Sequence, residues 1–170
     1  MSDLGDNITQ KHHRNFGFTL IEVVLAASIL TMFMLSSSMY YKKILDVSQD
    51  TTRHIQSGFL LEEGIEAVKL LRDTGWSAKI APLSTTTTYY LYWTGTQWRS
   101  TTTKQVVENV FTRSFTIADV KRDVSDNISA AGTLDAGTKK VVVGVTWLRK
   151  GGRATTTESA EAYIMNLFSN

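Results

Sequence analysis

Between Phe18 and Tyr41 the chain reads FTLIEVVLAASILTMFMLSSSMYY, 24 residues with a single formal charge, Glu22. As a helix rising about 1.5 Å per residue this run reaches roughly 36 Å, enough to cross a hydrocarbon core about 30 Å thick. The competing reading is a cleaved secretory signal, with Lys11 to Arg14 as its basic end. Against it, the run is much longer than the usual ~7–15 apolar residues, and no small-x-small cleavage site precedes a polar chain. Charge does not set the direction of the span, because Lys11 and Arg14 face Lys42, Lys43 and Arg53 across it. Its depth is better fixed, since Tyr40 and Tyr41 stand where an interfacial aromatic belt belongs. An ionised Glu22 costs several kcal/mol in a bilayer unless it is shallow, neutralised or paired. Only four residues, about 6 Å, from the start of the run, it either reaches the headgroups or meets a partner.

Composition narrows the chemistry. The 170 residues are 42% hydrophobic, with a mean hydropathy of -0.10, which excludes disorder throughout. Lys plus Arg total 18 against 16 Asp plus Glu, a net charge of +2; no nucleic-acid partner is indicated by so small an excess. The absence of cysteine removes disulfide frameworks, thiolate metal sites and cysteine nucleophiles together. Of the three histidines, His12 and His13 precede the apolar run and His54 stands alone on a helix, as a solvent-facing or interfacial residue rather than a base or ligand. Ala136-Gly137-Thr138-Lys139 lacks the earlier glycine of a phosphate loop, and Asp119, Asp123 and Asp126 lack calcium-loop spacing. No catalytic, cofactor or metal site is expected, and the chain reads as a non-enzyme.

Downstream of the apolar run, apolar or small residues recur at Ile44, Val47, Thr51, Ile55, Gly58, Leu61, Ile65, Val68 and Leu71. Steps of three and four make this an amphipathic helix that continues the first and lies on the domain's own sheet. Gly58 and Gly64 mark expected bends, and Gly75 an expected stop. From Thr85 the period becomes that of strands. Thr85 to Trp93 and Thr96 to Thr103 flank Thr94-Gly95 as a hairpin. Alternation there sends Tyr90 and Tyr92 to one face and Tyr89, Leu91 and Trp93 to the other. A single strand is expected over Val106 to Val120, with Phe111, Arg113, Phe115 and Ile117 on one face. Lys139 to Leu148 and Ala154 to Phe168 form a second hairpin around Arg149 to Arg153, and Lys121 to Thr138 reads as a loop. Five strands and a helix make an α+β domain with one antiparallel sheet. The threonine tracts at 85–88, 101–103 and 155–157 carry either strand propensity or O-linked sugars.

Asn15-Phe16-Gly17-Phe18-Thr19-Leu20-Ile21-Glu22-Val23 resembles the class III signal of type IV pilins and type II secretion pseudopilins. That resemblance is close from Gly17 to about Leu35. Glu63 to Val68 with Arg72-Asp73 also resembles a stretch common in pilin-like proteins. Two features differ from many pilins: no proline lies inside Phe18 to Tyr41, and no cysteine pair staples the carboxy-terminal region.

The resemblance implies that a membrane-embedded prepilin peptidase cuts after Gly17 and methylates the new amine of Phe18, with Thr19, Leu20, Ile21 and Glu22 completing the motif. It implies a pilin-like fold divided into a leader at 1–17, a transmembrane and filament-core helix at 18–41, its amphipathic continuation at 42–76 and an extracytoplasmic β-rich domain at 77–170. The expected partners are the peptidase, other pilin subunits, an inner-membrane assembly platform and the lipid bilayer. The expected place is the inner membrane in a single pass, and the pilus after assembly. Cleavage would put a positive amine four residues before Glu22. The carboxylate then pairs with the Phe18 amine of a neighbouring subunit or, at i, i+4 spacing, with its own. A minor pilin is the reading. The alternatives are a type II secretion pseudopilin and, from another class, a single-pass adhesin or sensor domain that does not polymerise.

Overall fold

The computed structural model describes residues 17–149 and 154–167. Contacts divide the chain into two compact units, one ending at Leu45 and one beginning at Asp46. Helix α1 runs over Leu20–Asp73. In the first unit its side chains are exposed throughout, Leu25, Ile29 and Phe33 among them. Ser28, Thr31 and Ser36 bond back into the helix: Ser28 Oγ donates to the Val24 carbonyl at 2.8 Å, Thr31 Oγ1 to that of Ser28 at 2.9 Å and Ser36 Oγ to that of Met32 at 2.9 Å. They therefore present little unsatisfied polarity to an apolar surrounding.

In the second unit α1 buries Ser57, Leu61, Gly64, Ala67, Val68 and Leu71, again in steps of three and four. The expected stripe holds for Leu61, Val68 and Leu71. It fails for Ile55, which is exposed, as are Ile44 and Val47; hydrophobic spacing marks a face without saying where the covering layer stops. α1 runs unbroken through Gly58 and Gly64. Gly64 serves a close approach. A Cβ there would lie 2.7 Å from Val143 Cγ1 and 3.1 Å from Arg113 Cδ, so glycine lets the sheet's side chains reach the helix backbone. The helix stops as expected, with Gly75 at φ 149, a conformation other residues rarely adopt. Trp76–Lys79 adds one short turn, α2.

Among the described residues six strands form one antiparallel sheet: β1 (Tyr89–Trp93), β2 (Trp98–Thr101), β3 (Val106–Val107), β4 (Phe111–Arg122), β5 (Thr133–Leu148) and β6 (Thr155–Met165). Their order is β2-β1-β4-β5-β6, with β3 also on β4. The chain is thus α+β and pilin-like, with a long N-terminal helix packed by its second part on an antiparallel sheet. Inward positions of β4 and β5 supply Phe111, Phe115, Ile117, Val141, Val143, Val145 and Trp147, which meet Leu61, Val68 and Leu71 of the helix in one core. Burying each such side chain contributes roughly 1.5–3 kcal/mol.

Three strand expectations are corrected. Val106 to Val120 is a hairpin, because Glu108 and Asn109 take φ of 50° and 56° and the Val110 amide donates to the Val107 carbonyl at 3.1 Å. Both central residues are left-handed, which matches the turn type that suits a tight hairpin. This raises the strand count from five to six. Lys121 to Thr138 is loop only in its middle, since Lys121 and Arg122 end β4, Thr133 to Thr138 open β5 beyond a bulge at Asp119/Val120, and residues 123–132 between them are irregular. The first hairpin is shorter than expected, β1 starting at Tyr89, so Thr85 to Thr88 lie outside the sheet. Thr155 to Thr157 do lie in a strand. Lys150 to Arg153, at the turn of the second expected hairpin, and Phe168, its last residue, lie outside the described residues.

Candidate functional site

The first turn of α1 is where the sequence motif and the structure meet. Gly17, Phe18 and Thr19 precede the helix in non-helical, exposed chain. Thr19 caps it: its carbonyl accepts from the amides of Glu22 at 3.0 Å and Val23 at 3.2 Å, and its Oγ1 accepts from the Glu22 amide at 3.3 Å. Thr19-Leu20-Ile21-Glu22 has the spacing of a capping box, in which a hydroxyl residue is followed three positions later by Glu. The Thr-x-x-Glu spacing is the sequence signal of this capping role. The carboxylate of Glu22 also sits in the first turn, where the helix dipole favours negative charge.

One consequence concerns the peptide bond after Gly17. Capping at Thr19 leaves that bond outside the hydrogen-bonded helix, and nothing lies within 4 Å of the place where a Gly17 Cβ would stand. A protease needs an accessible backbone free of helical hydrogen bonds, and this bond is exposed and non-helical. Among the described residues no side chain pairs with the Glu22 carboxylate. His12 and His13, with the rest of the leader before Gly17, lie outside the described residues.

A second polar assembly ties α1 to the far edge of the sheet. His54 is interfacial but not alone: its Nδ1 lies 2.6 Å from Glu158 Oε1 on β6, and its ring meets Trp147 edge-on at 5.1 Å. The Ser57 hydroxyl bonds the other Glu158 oxygen. Arg53 donates to the Leu148 carbonyl at 2.8 Å, and Arg149 reaches Asp50 at 3.0 Å. The Ser57 hydroxyl first, and His54 second, hold the Glu158 carboxyl below its ordinary range. Serine, histidine and glutamate here do not make a hydrolytic relay, which requires the serine to bond the histidine ring. Both address the carboxylate, so the cluster clasps helix to strand. Elsewhere Arg122 is 2.7 Å from Asp135 and, with the Thr138 hydroxyl and the Gly137 amide, pulls that carboxyl down to about 2. Among the described residues no group of three or more His, Cys, Asp or Glu side chains could hold a metal.

An exposed apolar helix, begun by a capped Thr-x-x-Glu turn two residues after Gly17, is the feature that the motif and the structure share. Residues 12–38 match the family model described as the prokaryotic N-terminal methylation motif, so the chain carries the class III signal of type IV pilins. That family is structural. The chain matches no curated protein and no solved structure. α1 also holds an 18-residue window of mean hydropathy 2.0, long and apolar enough to cross a membrane. Motif and helix together make a single-pass membrane anchor.

Proposed function

We propose that the protein is a structural subunit, a minor pilin, of a type IV filament, and not an enzyme. The observation that carries this reading is the exposed, non-helical Gly17–Phe18 bond placed directly ahead of the apolar helix inside the methylation motif. Residues 1–17 are the leader, removed by prepilin peptidase with methylation of Phe18. Residues 18–41 store the subunit in the inner membrane and later pack in the filament core. Residues 42–76 continue that helix into the extracytoplasmic domain at 77–170, and an inner-membrane platform drives extraction into the pilus.

Glu22 governs assembly in this scheme. Pairing it with the Phe18 amine of a neighbouring subunit removes two charges from an apolar setting at once and fixes the axial register of packing. The exposed Ile55, Phe59 and Leu70 on the part of α1 that faces away from the sheet offer further apolar area to neighbouring subunits.

N-terminal sequencing and intact mass of protein from the membrane test the processing step. The expected terminus is methylated Phe18, and an intact Met1 terminus on surface-exposed protein overturns the proposal. For assembly, Glu22→Gln keeps shape and removes charge. The expected result is normal membrane abundance with reduced filament incorporation, while normal incorporation eliminates the pairing. Recovery of the chain in a short periplasmic pseudopilus, not in surface filaments, favours the secretion alternative. A chain that keeps its leader and never enters a filament favours the anchored adhesin or sensor.

A further inference from the structure

The sheet forks beside β4. β1 pairs with β4 only at Tyr89 and Tyr90, opposite Phe115 and Ser114. Two residues further along β4, Thr112 and Phe111 pair with Val106 and Val107 of β3. Between these pairings β1 leaves the ladder, and a cleft of about 270 Å³ opens along Leu91 to Trp93. At about 30 Å³ of liquid volume per water, this is room for roughly nine molecules, on the scale of one sugar ring with its hydroxyls.

Arg113, on the inward face of β4, forms part of the lining, and its side chain is only 3% exposed. It pairs with Glu63 of α1 and lies over the Trp98 ring at 4.8 Å. Its Nε is buried and has no hydrogen-bond partner. A buried N–H left without an acceptor is costly, so the guanidinium that helps line the cleft favours a ligand oxygen able to accept from it. Glu63 is held through one oxygen and stays 48% exposed, which leaves its other oxygen open to a donor. Gln105 uses its amide nitrogen on the Thr103 carbonyl at 3.3 Å and keeps its oxygen as an acceptor. Above them Trp93 is 53% exposed and meets Trp98 at 5.5 Å between ring centroids. On the face that carries Tyr89, Leu91 and Trp93, Leu91 is buried, while Trp93 lies at the surface beside this cleft.

We propose that this cleft binds a neutral pyranose sugar. The charges of Arg113 and Glu63 cancel, so the site has no net attraction for an anion or a cation. A sugar ring combines an apolar C–H face, suited to the Trp93 indole, with a rim of hydroxyls that both donate and accept. Those hydroxyls match planar carboxylate, amide and guanidinium groups. The site lies wholly within the second unit and does not depend on filament assembly.

The test uses the full chain in micelles of a zwitterionic detergent, because detergents with sugar headgroups would compete. Methyl pyranosides of glucose, galactose, mannose and N-acetylglucosamine are titrated against tryptophan fluorescence and saturation-transfer NMR. The expected result is saturable binding of at least one of them. Trp93→Ala should weaken it about tenfold or more with an unchanged melting midpoint, since that ring is half-exposed. Glu63→Gln should weaken it as well, and Tyr163→Ala, on β6, should not. Absence of saturable binding by every neutral pyranoside overturns the proposal. So does equal binding by Trp93→Ala, and so does binding only of a charged sugar or an extended peptide.

Discussion

Apolar side chains of the same kinds meet opposite surroundings on the two sides of Leu45. In the first unit Ile29 and Phe33 are 70% and 69% exposed; in the second Ile117 and Phe115 are 2% and 1% exposed. Helical geometry is the same in both halves of α1, and only the presence of a second layer differs. From Ser57 onward the sheet supplies that layer from the same chain. The first unit has none among the described residues, so its apolar surface calls for lipid or for other subunits. A domain that completes its own core and a helix that leaves its partner to the environment should respond differently to the same mutation.

Truncation sharpens this contrast most. Trp147→Ala removes a large side chain, 2% exposed, from the core. It should cost about 3–5 kcal/mol in urea unfolding of the β domain. Phe33→Ala, read by the same tryptophan signal, should leave that transition in place. A comparable loss from Phe33→Ala would break the comparison.

Glycine gives the next largest effect and separates two positions on one helix. Gly64→Ala forces a methyl to within 2.7 Å of Val143 and should destabilise by about 1–3 kcal/mol. At Gly58 nothing lies within 4 Å of the added Cβ, so Gly58→Ala should stabilise by roughly 0.5–1 kcal/mol. Thermal unfolding of the two variants should shift in opposite directions.

At the other end of α1, Thr19→Ala deletes the cap and should weaken the first turn by about 1 kcal/mol. Amide exchange at Glu22 should accelerate, Thr19→Ser should restore it, and exchange in β4 and β5 should not change. The smallest effect is electrostatic. Asp135 titrates at about 2 instead of its ordinary 3.8. Its folded form is the stronger acid, so its contribution is complete above the ordinary value and disappears as pH falls toward about 2. Asp135→Asn should flatten the acid limb of the β domain's stability curve over that window, modestly, because water reaches the pair.

Long periodic segments were legible in the sequence. The apolar run announced α1, and the alternation of Phe111, Arg113, Phe115 and Ile117 announced the buried face of β4. Misreadings came where a single residue's conformation outweighs pattern. Glu108 and Asn109 turn the chain left-handed without the Asn-Gly or Asp-Gly pair that usually signals it. The close approach of Val143 to Gly64 is likewise invisible in the sequence, because the two meet only in the folded domain. At the candidate site, Gly17 and Glu22 were visible through their motif. The partners of His54 and Ser57 were not, because Glu158 lies about a hundred positions away and only the folded sheet brings it near.

That separation also orders events in time. The clasp between Ser57 and Glu158 links positions 101 residues apart. At roughly 5–20 residues per second a ribosome needs about 5–20 s to deliver the second after the first. The segment that carries the methylation motif is complete throughout that interval, whereas the inner face of the helix waits for β4, β5 and finally β6. The anchor is therefore available to a membrane before the domain can close, and β6, made after β4 and β5, is the strand that locks the helix in place.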